Sequence, residues 1–209
     1  RLIDMEVQEL TTVATVGQLN IQDPRSLCWS LTGDTLFVSN YSNGDSPIVV
    51  TMLLRSEGFK KAHSLFSGYK WVISATIHPQ TGDIYFAQES DATIKRYNMA
   101  TKEVETMFSV GGNWIWMYVY FHPSGDFAYL MRPREGTIFK CQFNKTTNWL
   151  ELPSIYVGNW NQGYNEGVGT NVRMGVMWQG TFVKNEKYIE QHKDDIYDFY
   201  VADGELYDN

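Results

Sequence analysis

A short pattern recurs four times along the chain and constrains the fold more than any other feature. Each copy is a turn rich in Gly and Asp followed by an apolar, aromatic-rich strand, and the copies span residues 31–40, 80–88, 123–132 and 194–203. A Gly-Asp pair favours a tight reversal, because glycine adopts a positive φ and the aspartate side chain accepts backbone hydrogen bonds. One strand position is aromatic in every copy: Phe37, Tyr85, Tyr129 and Tyr200.

Further strands are predicted on both sides of these turns. Apolar segments at 26–30, 74–78, 118–122 and 180–184 precede the turns. Segments at 47–53, 92–97 and 136–143 predict a third strand, and those at 103–109 and 149–157 a fourth. About four short antiparallel strands per unit of roughly 40 to 50 residues, without a helical stretch, are typical of a β-propeller.

We therefore predict an all-β propeller of four-stranded antiparallel blades that occupies residues 1–209. The units are approximately 11–66, 67–110, 111–157 and 158–209. A blade has two apolar faces and covers neither alone, so it needs a neighbour on each side. Because four blades are few for a closed ring, we expect these to belong to a ring of six. A β-sandwich is the alternative, but it has no need to repeat the turn and the aromatic residue in register.

Composition and charge exclude some classes of function. The net charge of −7 and the lack of clustered Lys and Arg argue against binding to nucleic acid. No apolar run reaches the roughly 18 residues that a membrane-spanning helix needs. Aromatic residues make up 15% of the chain, which favours strands with flat rings packed on a pleated surface.

The segment 157–185, together with the strand YVAD at 200–203, resembles the blade signature of NHL-repeat propellers. In that family a glycine-spaced segment and a small-x-aromatic pair precede a Pro-Gly step into the innermost strand. Val172 and Met174 stand at the small and aromatic positions, Gly180 opens the inner strand, and Trp178 replaces the usual Pro. The matching glycines are Gly158, Gly163, Gly167 and Gly169.

These NHL-like units, with the sequence VATVGQ at 13–18, are also similar to a group of Bacteroidetes cell-surface proteins. In that group an IPT/TIG domain precedes the propeller, and the proteins are commonly outer-membrane lipoproteins associated with glycan use. The resemblance implies a location at the cell surface or in the periplasm, with outer-membrane complex partners.

Motifs that carry enzymatic chemistry are missing from the sequence. It has no H-x-x-x-H, C-x-x-C, Walker or G-x-S-x-G pattern, and we expect neither a metal nor another cofactor. His78 and His122 occupy the same place before the turn in two units, which indicates a structural role. A propeller hydrolase or lyase remains an alternative, with Asp23, Glu89 and Glu166 as candidate carboxylates.

Binding has better support, because the loops that lead into the innermost strands of a propeller converge on one face around the channel. Flat aromatic side chains there can stack on the C–H face of a sugar while polar neighbours bind its hydroxyls. The alternative for each aromatic residue is packing between blades. The candidate ligand-binding residues are Arg25, Trp71, Trp116, Tyr118, Trp160, Tyr164, Trp178 and Gln179.

The sequence thus predicts a non-enzymatic surface protein whose propeller face binds a ligand, with carbohydrate as the favoured class. A protein-interaction scaffold that uses the same face is the main alternative. We expect a groove in the first case and a broad flat patch in the second.

Overall fold

The computed structural model describes residues 2–4, 9–11, 21, 23–41, 50–112, 115–185 and 197–204. Strands dominate this part of the chain, and its only helical elements are 3₁₀ turns at Arg55–Glu57, Pro133–Glu135 and Gly169–Asn171. None of these described turns approaches the length needed to cross a membrane. The strands are β1 (Leu2–Asp4), β2 (Glu9–Thr11), β3 (Pro24–Trp29), β4 (Thr35–Asn40), β5 (Val50–Leu54), β6 (Ala62–Phe66), β7 (Val72–Ile77), β8 (Ile84–Gln88), β9 (Thr93–Tyr97), β10 (Val104–Ser109), β11 (Tyr118–Phe121), β12 (Phe127–Arg132), β13 (Thr137–Asn144), β14 (Trp149–Leu150), β15 (Ser154–Val157), β16 (Val176–Lys184) and β17 (Tyr197–Gly204).

Four antiparallel sheets follow one another along the chain after the separate pair β1 and β2. Blade 1 is β3 to β6, blade 2 is β7 to β10, blade 3 is β11 to β15, and the described part of blade 4 is β16 and β17. The first strand of each blade lies against the first strand of the next, β3 with β7, β7 with β11, and β11 with β16. These inner strands therefore surround a common axis, which confirms the predicted propeller fold. The ring of six and the unit boundaries stay predictions.

The repeated turns have the predicted conformation where the structure describes them. Gly33, Gly82 and Gly125 have φ values of 69°, 77° and 74°, in the left-handed region that glycine adopts without strain. Each turn joins the first strand of its blade to the second. Asp194 and Asp195 of the fourth copy lie outside the described residues, as does the VATVGQ segment.

The repeated aromatic position faces the following blade. Phe37 belongs to the apolar cluster between blades 1 and 2. Tyr85 lies edge-on to Phe121 of blade 3, with ring centroids 4.8 Å apart. Tyr129 stacks on Phe182 of blade 4 at 5.5 Å. In blades 1 to 3, one aromatic residue per blade thus fills the wedge toward the following blade.

Tyr200 holds the corresponding place on β17, but its side chain is 57% exposed. Its neighbours in the strand, Phe199 and Val201, pack toward blade 3. Since successive side chains of a strand alternate between faces, Tyr200 points away from blade 3.

His78 and His122 have the structural role that their repetition indicates. The His78 ring accepts a hydrogen bond from the Thr81 N–H at Nδ1, and its Nε2 lies 3.0 Å from the Gly125 carbonyl oxygen of the next blade. His122 Nδ1 accepts from the Ser124 N–H at 3.2 Å. Each ring therefore holds the turn that follows it.

Candidate ligand-binding site

The inner strands of all four blades enclose a cavity of about 370 Å³. Arg25 of β3, Ser74 of β7, Tyr118 and Tyr120 of β11, and Gln179 of β16 are among the residues that line it. The volume lies within the range of roughly 300 to 1,000 Å³ that small-molecule sites occupy. Only the ring arrangement brings these residues together, because each blade contributes one or two of them.

Three aromatic residues at alternate positions of blade 3 lead into this cavity, and we call them the aromatic row: Trp116, Tyr118 and Tyr120. Tyr118 and Tyr120 are two residues apart on one strand and project from the same face. Their rings stack with centroids 6.4 Å apart and an interplanar angle of 20°. Trp116 is half-buried, lies two residues before the strand and is not part of the cavity lining, so only Tyr118 and Tyr120 of the row line the cavity.

The polar groups at the cavity wall are neutral apart from Arg25. Tyr120 Oη accepts a hydrogen bond from the Gly180 N–H at 3.1 Å and lies 3.3 Å from Gln179 Oε1. Burial raises the pKa of both Tyr118 and Tyr120, so their hydroxyls stay protonated at neutral pH. Among the described residues that line the cavity, Arg25 alone is charged. Such a wall is suited to a ligand with several hydroxyl groups.

The face where the inner strands begin is the one predicted to bind a ligand; we call it the upper face, and its edge around the axis the rim. Antiparallel pairing places the start of each inner strand beside the end of the second strand of the same blade. The Tyr41 N–H donates to the Asp23 carbonyl in this way in blade 1, and the Glu89 N–H donates to the Trp71 carbonyl in blade 2. The Ile115 N–H continues the rim by donating to the Glu89 carbonyl.

Side chains at the blade 1 and blade 2 part of the rim form one connected cluster. Arg25 pairs with Asp23 at 2.6 Å, and its guanidinium carbon lies 4.6 Å from the centre of the Tyr41 ring. Tyr41 meets Trp71 edge-on at 4.8 Å and donates a hydrogen bond to Glu89 Oε2 at 2.5 Å. Burial and the Glu89 carboxylate raise the pKa of Tyr41, so it remains a donor.

Arg134 and Trp116 form the blade 3 part of the rim. Arg134 lies in the 3₁₀ turn that joins β12 to β13, and its guanidinium carbon is 4.2 Å from the centre of the Trp116 ring. This cation–π contact covers the top of the aromatic row.

The three remaining predicted residues do not line the cavity: Trp160 packs on blade 3, and Tyr164 and Trp178 lie at blade 4. Trp160 is 47% exposed, with the Arg132 guanidinium carbon 4.6 Å from its ring centre. Tyr164 is 61% exposed and donates a hydrogen bond to the Gly204 carbonyl. Trp178 is 45% exposed, and its indole lies where a side chain at Gly204 would be.

The structure thus divides the eight predicted residues into three groups. Arg25, Tyr118 and Gln179 line the cavity. Trp71 and Trp116 lie outside its lining, where the inner strands begin. Trp160, on blade 3, and Tyr164 and Trp178, on blade 4, lie away from it. Sequence reasoning missed Tyr41, Tyr120 and Arg134. For Tyr120 the signal was available, since it follows Tyr118 by two residues on the same strand.

Comparisons with known proteins identify similar structures but no family. No family model matches the chain, and no curated protein matches it. An auxiliary nutrient binding protein from Bacteroides thetaiotaomicron superposes with a TM-score of 0.87 at 30% identity over 96% of this chain and 46% of its own. An auxiliary nutrient binding protein from Bacteroides ovatus gives a TM-score of 0.81 at 29% identity, over 88% of this chain and 43% of its own.

A third structure, a candidate phosphatase from Bacteroides thetaiotaomicron, has a TM-score of 0.86 at 20% identity over 96% of this chain and 49% of its own. At that identity the likeness concerns the fold alone. The chain spans slightly under half the length of each of the three proteins. All three are Bacteroides proteins, and two of them are named for nutrient binding.

Proposed function

We propose that this chain is the ligand-binding propeller of a nutrient-binding protein and that it binds carbohydrate at the upper face. One observation carries the proposal: the aromatic row descends from the rim into a cavity whose wall is built from all four blades. The names of the two structures near 30% identity support a binding role.

Carbohydrate is the ligand class that suits this wall. A sugar ring presents flat C–H faces that stack on Tyr or Trp, and its hydroxyl groups need several donors and acceptors. Tyr118 and Tyr120 bring aromatic rings to the wall, and Gln179 brings an exposed amide. Ser74 is buried and its hydroxyl donates to the Met117 carbonyl, so it can only accept from a ligand. The site is concave, and a concave site suits a small ligand better than the flat surface of a protein partner. The shape therefore disfavours the alternative function as a protein-interaction scaffold.

We also propose that the site is not catalytic. The candidate carboxylates of a hydrolase are engaged by other groups: Asp23 pairs with Arg25, and Glu89 is buried and accepts the Tyr41 hydrogen bond. Glu166 is exposed in the connection between β15 and β16, and it does not line the cavity. A hydrolase would need two carboxylates free to face each other across the substrate.

The proposed location is the cell surface or periplasm, as part of an outer-membrane lipoprotein with a preceding IPT/TIG domain and partners in the outer membrane. The NHL-like segment and the Bacteroides origin of the similar structures support this location. The gene sequence upstream of Arg1 tests it, since a lipobox cysteine and an IPT/TIG domain are expected there. A cytosolic fusion partner at that place would contradict it.

The binding proposal is tested with a glycan array followed by titration of the best ligand. We expect Gln179→Ala to weaken binding roughly five- to thirtyfold, because a hydrogen bond to a sugar hydroxyl is worth about 1 to 2 kcal/mol. Gln142→Ala is the matched control, since Gln142 is exposed on β13 away from the cavity and its loss should leave affinity unchanged.

Silence across the array would contradict the carbohydrate proposal and favour the protein scaffold. If wild type and Gln179→Ala bind the ligand with equal affinity, the ligand binds outside the cavity. Loss of binding in Trp178→Ala but not in Gln179→Ala would place the ligand over blade 4 instead.

A further inference from the structure

Arginine side chains gather on the upper face of a chain whose net charge is −7. Arg25 pairs with Asp23 at 2.6 Å, and Arg132 pairs with Glu135 at 2.8 Å. Arg134 differs from both, because no carboxylate of the described residues lies within ion-pair distance of it. The positive charge of Arg134 is therefore uncompensated by its described surroundings.

The position of Arg134 favours an external anion as its partner. Its guanidinium lies over the Trp116 ring, and a guanidinium stacked in this way keeps its in-plane N–H groups available for a planar acceptor. Carboxylate and sulfate oxygens match this geometry and can accept two parallel hydrogen bonds. The contact with the indole also removes water from one side of the charge, which strengthens such a pair.

Neighbouring elements hold the Arg134 backbone in place. The side chain of Gln162 donates a hydrogen bond to the Arg134 carbonyl. The turn ends at Gly136 with a φ of 56°, and a Cβ at this residue would lie 2.6 Å from the Met174 carbonyl oxygen. The turn is thus fixed between blade 3 and the connection that leads into blade 4, so little ordering is required when a ligand binds.

The contact with Trp116 places Arg134 next to the proposed sugar site. Trp116, beneath it, is two residues from Tyr118, which corresponds to roughly 7 Å along extended backbone. A sugar ring stacked on Tyr118, below the contact between Arg134 and Trp116, would therefore carry its exocyclic group toward the guanidinium.

We propose that the ligand is an acidic saccharide, whose exocyclic carboxylate or sulfate ester binds Arg134 while its ring stacks on the aromatic row. This inference rests on the proposed carbohydrate function. Because the net charge of the protein repels anions at long range, the preference comes from the local contact with Arg134.

The test uses trisaccharides of glucose, mannose and galactose configuration, each prepared with C6 as a hydroxymethyl group, a carboxylate or a sulfate ester. Isothermal titration should show about tenfold tighter binding of the acidic member than of its neutral counterpart, since a charge-assisted hydrogen bond contributes this much. The advantage should shrink as salt is added. The carboxylate and sulfate series show which anion is recognised.

Arg134→Gln should abolish the preference for the acidic member over its neutral counterpart. Arg55→Gln is the matched control, because Arg55 is exposed on the opposite face and its guanidinium carbon lies 5.5 Å from the Trp29 ring. Arg55→Gln should keep the full preference.

Each outcome decides between the two proposals. Neutral sugars that bind as tightly as acidic ones would overturn the acidic ligand and leave carbohydrate binding in place. A preference that survives in Arg134→Gln would also overturn it. If no member of the panel binds while the array is silent, the carbohydrate function itself fails.

Discussion

His78 satisfies hydrogen bonds of two blades with one buried ring. Its Nδ1 accepts the Thr81 N–H at 3.1 Å, so this nitrogen carries no proton, and its Nε2–H donates to the Gly125 carbonyl at 3.0 Å. The side chain has no exposed surface. Burial lowers the pKa of His78, an effect that the Gly125 carbonyl and Asp83 only partly oppose.

This arrangement predicts that stability falls as the pH drops below about 6.5, the ordinary pKa of histidine. There the unfolded chain binds a proton at His78 and the folded chain does not, so the free energy of unfolding rises with pH and declines on acidification. Urea unfolding between about pH 5 and about pH 8 measures it. We expect a flatter dependence in His78→Asn, whose carbonyl can still accept the Thr81 N–H.

His63→Asn is the control for this titration. His63 is half-exposed and lies 2.6 Å from Glu57, away from the contact between blades 2 and 3. When His63→Asn is added to both proteins, the difference in pH slope between wild type and His78→Asn should stay the same. An unchanged slope in His78→Asn would contradict the role assigned to the buried ring.

At the scale of elements, two glycines let the connection between β15 and β16 approach blade 3. Gly158 has a φ of 90°, and a Cβ there would overlap the Gly136 carbonyl oxygen. A Cβ at Gly136 would in turn lie 2.6 Å from the carbonyl oxygen of Met174, which belongs to the same connection. Both contacts involve backbone, which cannot rotate away as a side chain could.

Gly158→Ala should therefore lower the free energy of unfolding by about 2 kcal/mol or more, from left-handed strain plus the backbone overlap. Gly68→Ala isolates the first cause, since Gly68 has a φ of 89° but no atom within 4 Å of its Cβ position. That variant should cost about 1 kcal/mol. Equal losses in the two variants, measured by urea unfolding, would show that the close approach is unimportant.

At the scale of the whole molecule, the two outer blade faces carry exposed apolar side chains. Leu27 and Trp29 of blade 1 are 65% and 44% exposed, and Val183 and Tyr200 of blade 4 are 45% and 57% exposed. The corresponding faces between blades are buried. The predicted ring of six would cover both outer faces with further blades.

The 209-residue chain by itself is therefore expected to self-associate, because large exposed apolar patches mark interaction surfaces. Sedimentation velocity over a concentration series should show a shift toward monomer in the double variant Val183→Lys, Tyr200→Lys. Val168→Lys is the control, since Val168 is 85% exposed but lies in the connection outside the blade face. A monomer at every concentration for the wild type would contradict the prediction.

Sequence alone determined the blades, because the information for them is local. Turn chemistry requires a positive φ at Gly33, Gly82 and Gly125, and the aromatic position repeats in register with those turns. Residues at equivalent positions of the inner strands lie close together around the axis of a ring. The sequence could therefore predict that Arg25 and Gln179 lie near each other, and both line the cavity.

Tertiary structure alone decided which further side chains lie around the candidate site. Tyr41 and Arg134 lie in connections that follow the second strands, and no periodicity in the sequence positions a connection. Trp178 belongs to an inner strand, yet its side chain lies against Gly204 and not in the cavity. Strand alternation assigns a residue to a face, but contacts between separate blades determine whether that face meets a ligand, a neighbouring blade or solvent.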